Sequence, residues 1–459
     1  MTETAMTGTH SLELSDTQSA QSHVGAEVDN RAPINSKTFR KIVLASVTGN
    51  ALEWYDFFLY STAAALIFGE LFFPKGTDPL VGTIAALAGF ALGFLARPFG
   101  GVIFGHIGDK YGRKKALVLT LSIMGGATFL IGLLPTYAQA GVWAPVLLLL
   151  LRVLQGIAAG GEWGGGVLMI SESAPPERRG FYASISQIGV GGGFVLSAGA
   201  FYVVQLLPEQ DFQSWGWRIP FLVSIVIFGL GVYIRRSLPE SQDFQRAEAT
   251  GKTSHMPVLD VLRKHPREVL MAMGLRVAEN GGSYLMLAFA LVYGKFLGVP
   301  NSVMLAGVTV STCVELVTML FWGRLSDRVG RKPVYMVGAV GMVLMAFPFF
   351  WLLETREPAW IWLAFVIGNA ICHGAMIGTQ PSLMGELFST EVRYSGMALG
   401  HEVASVFSGG LSPMIATALL AHYQASWPVS LMMMALGLVT VISLCFTKET
   451  RVRAKGGRS

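Results

Sequence analysis

Between Lys41 and Thr447 the chain alternates long apolar runs with short polar breaks. A helix that crosses a bilayer needs about 20 predominantly apolar residues. Counted on that length, the runs give twelve candidate spans, centred near Trp54, Gly93, Met124, Gln155, Phe194, Val226, Ser283, Val314, Met342, Ile371, Ser405 and Leu436. Spans 1 and 7 are the weakest, because each carries charge in its middle. In lipid every backbone group must be bonded within its own segment, so all twelve are predicted as helices. The polar stretch around 235–267 divides them six and six. The predicted organisation is a tail over 1–40, a six-helix bundle over 41–234, a central loop over 235–267, a second bundle over 268–447 and a tail over 448–459. The first 35 residues are polar, mixed in charge and without the basic start and apolar core of a signal peptide, so they read as a disordered cytoplasmic tail.

The basic residues give the bundle a sidedness. Of 34 Lys and Arg, 27 fall in the two tails and in the loops after even-numbered spans. Only Lys75, Arg218, Lys295 and Arg356 fall on the other side, and Arg97, Arg152 and Arg276 lie inside spans. Positive loops stay in the cytoplasm, so both termini are predicted there. Two short sequences then repeat across the central divide. "GHIGDKYGRKKA" (Gly105–Ala116) returns as "GRLSDRVGRKPV" (Gly323–Val334), and "ESAPPERR" (Glu172–Arg179) returns as "ELFSTEVR" (Glu386–Arg393). Two repeats at nearly one offset indicate duplicated halves around a central cavity.

Composition agrees with this picture. The chain of 459 residues is 52% hydrophobic and 14% charged, where soluble domains carry about 25% charged residues. Its 54 glycines suit helices that pack closely in lipid. The three cysteines, Cys313, Cys372 and Cys445, sit in apolar runs without metal-ligand spacing and read as small buried hydrophobes. The net charge of +5 follows from the sidedness and calls for no nucleic acid.

Charge inside a span is costly and marks function. "LEWYDFFLY" (Leu52–Tyr60) places Glu53 and Asp56 on neighbouring parts of one helical face. Two such acids in a poorly solvated cavity do not both ionise easily, which makes the pair a candidate proton site. Arg152 in span 4 is the counter-charge expected for them. Arg276 and Glu279 repeat the spacing in span 7. A guanidinium fork suits a carboxylate, so Arg276 is a candidate for a substrate anion, and the alternative is an Arg–Glu pair that locks the second half. His373 is read as a titrating or hydrogen-bonding group or as a plain helix contact. Tyr60, Gln187, Gln380, His401 and Glu402 are candidate cavity-lining groups. Glu162 and Glu315 serve either the cavity or helix packing, and Arg97 reads as a structural residue near a span end. "GVGGGF" (Gly189–Phe194) lies inside an apolar helix with no strand before it, so it is a packing stretch and not a dinucleotide loop.

Twelve spans with G-x-x-x-D-[KR]-x-G-R-K after spans 2 and 8 resemble the major facilitator superfamily. "NALEWYDFFLY", "GFLARPFGGVIFGHIGDKYGRK", "RVLQGIAAGGEWGG" and "SWGWRIPF" resemble its metabolite:proton symporter branch. "LRVAENGGSY", "GNAICHG", "TQPSLMGELF" and "EVASVFSGG" most resemble the shikimate-transporter group. The glycines of "AENGGSYLM" and the Gly after His373 depart from that group at cavity positions, so the substrate stays open.

The resemblance implies an all-α membrane protein of two pseudo-symmetric six-helix bundles, not an enzyme, with a multi-pass place in the bacterial inner membrane. It implies proton-coupled import of a small organic acid, shikimate-like or another hydroxylated or aromatic monocarboxylate, by alternating access. Proton:osmolyte symport (proline or betaine) and di- or tricarboxylate symport are the alternatives. A nutrient receptor or a membrane enzyme finds no P-loop, nucleophile pair, metal cluster or signalling domain in the sequence. Osmosensing members carry a coiled-coil tail, and no heptads follow span 12. Partners are the substrate, protons and lipid. No cofactor is expected beyond the proton gradient, and monomers are usual in the superfamily. Its sugar:proton members also read "YD" in span 1, which makes Asp56 the first choice for the coupled proton. Its antiporter signature contains a Gly-Pro pair, missing from span 5, which favours symport. Asp109, Arg113, Glu172 and Arg179, with their repeats Asp327, Arg331, Glu386 and Arg393, are expected to form a charge network that closes the cytoplasmic face.

Overall fold

The computed structural model describes residues 36–74, 79–240, 242–249 and 257–450. The tails over 1–35 and 451–459 lie outside the described residues. Each predicted span is a helix or a short chain of helices. Span 1 is Ser36–Ala63, continued through a π-helical turn at Ala64–Phe68 and Gly69–Leu71. Spans 2, 3 and 4 are Pro79–Tyr111, Arg113–Leu133 and Trp143–Ser173. Span 5 is Arg179–Ile185 followed by Ile188–Gln205, and span 6 is Ile219–Arg236. Span 7 runs Pro266–Tyr284, Leu285–Phe289 and Ala290–Phe296, and span 8 is Asn301–Val329. Span 9 is Arg331–Met345 and Pro348–Glu354, bent by 47° where Pro348 supplies no amide hydrogen. Span 10 comprises Pro358–Phe365, Val366–His373 and Gly374–Leu387. Span 11 comprises Arg393–Ser405, Val406–Gly410 and Ser412–Tyr423, and span 12 is Trp427–Phe446.

Among the described residues, eight helices are long and apolar enough to cross a bilayer alone, or nine with the bent pair counted as one. Spans 1 and 7 fall short through their own charged residues, as their sequences predicted. Span 2 is described only in part near its start.

Three boundaries differ from the sequence expectation. The first helix begins at Ser36, inside the stretch assigned to the tail. Arg235 and Arg236 close span 6, and span 7 starts at Pro266, so the central loop is shorter than 235–267. It also carries two short helices, Gln242–Ala249 and Pro257–Lys264. Their apolar residues Phe244 and Val261 are buried, which explains why a polar loop is helical.

The packing inverts that of a soluble protein. Phe99, Leu150, Val195, Val226, Trp351 and Phe446 are exposed, while Glu53, Asp56, Arg97, Arg152, Arg276, Glu279 and Glu402 are buried. Two large apolar clusters fill the two halves. Spans 2 and 4 touch backbone to backbone. A Cβ added at Gly100 would lie 1.9 Å from the Ile157 carbonyl oxygen, and one at Gly160 would lie 2.0 Å from that of Arg97. Such small-residue contact brings the arginines of both spans up against span 1. The halves meet through span 2 on span 11 and span 5 on span 8, the same pair of positions exchanged by the internal repeat.

Candidate functional site

Most of the charged groups inside the spans gather in three clusters. In the first, Asp56 is enclosed on every side. Arg152 Nη1 lies 3.6 Å from one carboxylate oxygen, and Gln155 donates to the other at 2.6 Å. Thr128 donates its hydroxyl to that same oxygen and accepts a second hydrogen from Gln155 at 2.9 Å. The Arg152 guanidinium lies over the Tyr60 ring, 4.2 Å from its centroid. Arg152 thus serves Asp56, and it is not the counter-charge of both acids.

Glu53 belongs to a second cluster, which joins the two halves. Its partner is Arg97 of span 2 at 3.2 Å, and the same Arg97 nitrogen lies 3.8 Å from Glu402 of span 11. Glu402 is bonded through its other oxygen to Nδ1 of His401 at 2.7 Å, and the His401 ring stacks on Trp163 of span 4 at 3.8 Å. Arg97 is therefore not a structural residue at a span end. It lies well inside the 33-residue helix Pro79–Tyr111 and is buried. The signal was present in the sequence, since "PFGGVIFG" continues the apolar run well past it.

The third cluster lies within the second half. Arg276 is paired with Glu279, donates to Gln380 at 3.2 Å and donates from Nε to Ser405 at 3.1 Å. Gln380 donates in turn to Glu279 at 3.3 Å and to the Tyr335 hydroxyl at 3.0 Å. Of the two expectations for Arg276, the pairing with Glu279 is present, with Gln380 and Ser405 of its own half beside it. His373 stands between Glu279, 3.4 Å from its Nε2, and Glu315, bonded to its Nδ1, while Asn369 donates to Glu315 at 3.0 Å. Gln187 is placed apart from these groups, at the break in span 5, where Asn50 of span 1 donates to it at 3.4 Å. Glu162 accepts from Arg235 at 2.7 Å and from the Thr120 hydroxyl at 2.9 Å, so Arg235 is buried at the end of span 6 and does not belong to a cytoplasmic loop.

Two small cavities adjoin the second cluster, and Glu53 lines both. One, about 10 Å³, is also lined by Asp56, Arg97, Arg152 and Gln155. The other, also about 10 Å³, is lined by Ser46, Asn50, Glu162 and Ser186. Each has room for about one water molecule. Away from the repeated loops, Phe94 meets Tyr284 across the interface between halves, with ring centroids 6.1 Å apart.

The repeated loops close the other end. Gly112 and Gly330 occupy the same motif position, with φ of 109° and 123°, a region that glycine enters without strain. Asp109 is paired with Arg113 at 3.0 Å and accepts the amides of Tyr394 (3.2 Å) and Ser395 (2.8 Å), at the start of span 11. Its repeat Asp327 is paired with Arg331 at 2.6 Å and accepts the amides of Gly180 (2.8 Å) and Phe181 (2.9 Å), next to Arg179 at the start of span 5. Each half thus places a carboxylate on a helix N-terminus of the other, where unpaired amides and the helix dipole favour negative charge. Glu172 lies 3.2 Å from Arg393 and 3.6 Å from Arg113, and Glu386 lies 3.4 Å from Arg331.

Replacing Asp109 by Asn removes the charge that holds both Arg113 and the start of span 11. A hydrogen bond to a charged group contributes about 1.5–3 kcal/mol, so the face should open roughly tenfold more often. A cysteine at Gly166, where an added Cβ meets nothing within 4 Å, reports on that opening in a background without the three native cysteines. The alkylation rate should rise in Asp109→Asn and in Asp327→Asn. Unchanged rates in both would leave the loops a role in topology alone.

A family model described as Major Facilitator Superfamily matches residues 47–413. The chain is 40% identical over 418 residues to the shikimate transporter of Escherichia coli strain K12, covering 90% of this chain and 95% of that one. It is 36% identical over 440 residues to the glycine betaine/proline/ectoine/pipecolic acid transporter OusA of Dickeya dadantii, covering 92% and 86%. Among solved structures, the proton:xylose symporter XylE bound to 6-bromo-6-deoxy-D-glucose superposes with a TM-score of 0.72 at 17% identity, covering 90% of this chain and 96% of that one.

Proposed function

The chain belongs to the Major Facilitator Superfamily, and on that premise we propose that this transporter is a proton-coupled symporter of a small organic monocarboxylate, shikimate-like or otherwise hydroxylated or aromatic. The observation that carries the proposal is Glu53. It is a buried carboxylate with one oxygen on Arg97 and the other without a hydrogen-bond partner among the described residues. A buried carboxylate left half-satisfied is costly, and a proton relieves the cost. Asp56, by contrast, has both oxygens occupied, one by Arg152 and the other by Gln155 and Thr128. Glu53 is therefore the coupled acid of the pair, in place of the "YD" position.

Import is directed into the bacterial cytoplasm across the inner membrane, with both termini inside, a direction supported by the excess of basic residues in the tails and even loops. The membrane potential opposes entry of an anion by about 2.3 kcal/mol per charge per 100 mV, and a proton carried with the anion cancels that term. The water-sized cavities and the closed loops belong to a stage of the cycle shut toward the cytoplasm.

A second reading, uptake of a zwitterion such as proline or betaine, draws on the likeness to OusA. A thermal-shift screen of the purified protein separates the two. A ligand at 100 times its Kd adds about 2.7 kcal/mol. Stabilisation by shikimate and related monocarboxylates, and not by proline, betaine or citrate, is the outcome this function requires. Stabilisation by betaine or proline alone replaces it with the second reading.

A further inference from the structure

We propose that Arg97 is the docking point for the substrate carboxylate, and that the substrate takes the place of Glu53 on this guanidinium. The inference deepens the reading of the protein as a carboxylate transporter and rests on it. Three observations lead to it, beginning with how loosely Arg97 is held. Both of its ion pairs, at 3.2 Å to Glu53 and 3.8 Å to Glu402, use the one nitrogen Nη1. The fork that a guanidinium can offer to a single carboxylate is thus unused. The outer oxygen of Glu53 and the Glu402 oxygen facing Arg97 accept no hydrogen bond among the described residues, although both acids are buried.

The second observation is position. The ion-pair partners of Arg152 and Arg276 come from their own halves, whereas Arg97 lies between an acid of one half and an acid of the other. A substrate held there touches both halves, as a ligand must if its binding is to favour their closure. The third is the wall around the site. Phe94 lies 4.8 Å below the Arg97 guanidinium, with Phe57 and Tyr284 at 5.6 and 6.1 Å from its ring, and the Trp163–His401 stack borders Glu402. Flat apolar faces beside a guanidinium suit a ring that carries one carboxylate.

Charge balance then ties the substrate to a proton. Where the empty site holds Glu53 as the carboxylate, it faces Arg97. When a substrate carboxylate arrives, Glu53 takes up one proton and leaves as the neutral acid, Arg97 keeps its charge, and the net charge of the site is unchanged. Glu53 is also faced by Glu402 and His401 of span 11, Glu162 of span 4 and Arg276 of span 7, with Asp56 on its own span. Glu162 is matched by Arg235, Asp56 by Arg152 and Arg276 by Glu279, and Glu402 is held by His401. Glu53 is left as the acid whose partner the substrate removes.

The test is shikimate binding to the purified full chain, by calorimetry between pH 5 and pH 10, with shikimate methyl ester as the uncharged control. Above the point where free Glu53 ionises, wild-type affinity should fall about tenfold per pH unit, the signature of one proton taken up per ligand. Glu53→Gln should bind shikimate with little dependence on pH, at an affinity near that of the wild type at pH 5. Arg97→Lys should lose at least tenfold at every pH, because an ammonium gives no fork, and the ester should bind none of the three. A Glu53→Gln protein that keeps the wild-type pH slope, or an Arg97→Lys protein that binds as the wild type does, overturns the assignment while leaving the transport reading in place. Failure of the wild type to bind shikimate or any other carboxylate overturns both.

Discussion

Uptake by a Glu53→Gln protein stops once the inside concentration matches the outside, while exchange of labelled for unlabelled substrate across the membrane continues. Exchange needs no net proton movement, whereas accumulation does. The amide keeps the size and hydrogen-bonding capacity of the acid and removes only its titration. With one proton per substrate, a gradient of one pH unit supports about tenfold accumulation, since a pH unit corresponds to about 1.36 kcal/mol. The variant should therefore lose that tenfold entirely. Asp56→Asn behaves differently, because it strips Arg152 of its carboxylate and leaves a buried cation, so both exchange and accumulation fall. If Glu53→Gln accumulates substrate as steeply as the wild type, the proton travels elsewhere, with His373 between Glu279 and Glu315 the next place to look.

Arg276→Gln should lower stability more than any other single change in the second half. Glu279 then remains buried without its cation, and removing one partner of a buried pair costs about 3–5 kcal/mol. At about 2–4 °C per kcal/mol in a domain of this size, the apparent unfolding temperature should drop on the order of ten degrees. Glu279→Gln added to Arg276→Gln should recover much of the loss, because two amides can bond to Gln380, Ser405 and each other without buried charge. A single variant as stable as the wild type would show that Arg276 is not locked by Glu279.

The fold was legible in the sequence because lipid forces it to be. Apolar runs of about 20 residues, positive loops on one side and a repeated "G-x-x-x-D" motif define spans, orientation and duplication without any tertiary knowledge. Pairs within one turn of a helix, such as Arg276 with Glu279, were equally visible at i, i+3 spacing. The hidden links depend on how helices pack. Arg97 finds Glu53 and Glu402 across three spans, and no local spacing announces that meeting. Asp109 and Asp327 were expected within a charge network, and each pairs with the Arg four residues on. Their second task, accepting amides at helix starts in the opposite half, follows only from the way span 2 lies on span 11 and span 8 on span 5.

Coupling itself is read by following protons and substrate together. Wild-type protein reconstituted into vesicles, with a pH-sensitive dye in a lightly buffered outer medium, is given labelled shikimate without any imposed gradient. Symport through Glu53 and Arg97 predicts that the outer medium turns alkaline as label enters, at one proton per shikimate, and that Glu53→Gln vesicles give no such signal. Entry of label with no change in outer pH, equally fast when the outside is acid or alkaline, would contradict it.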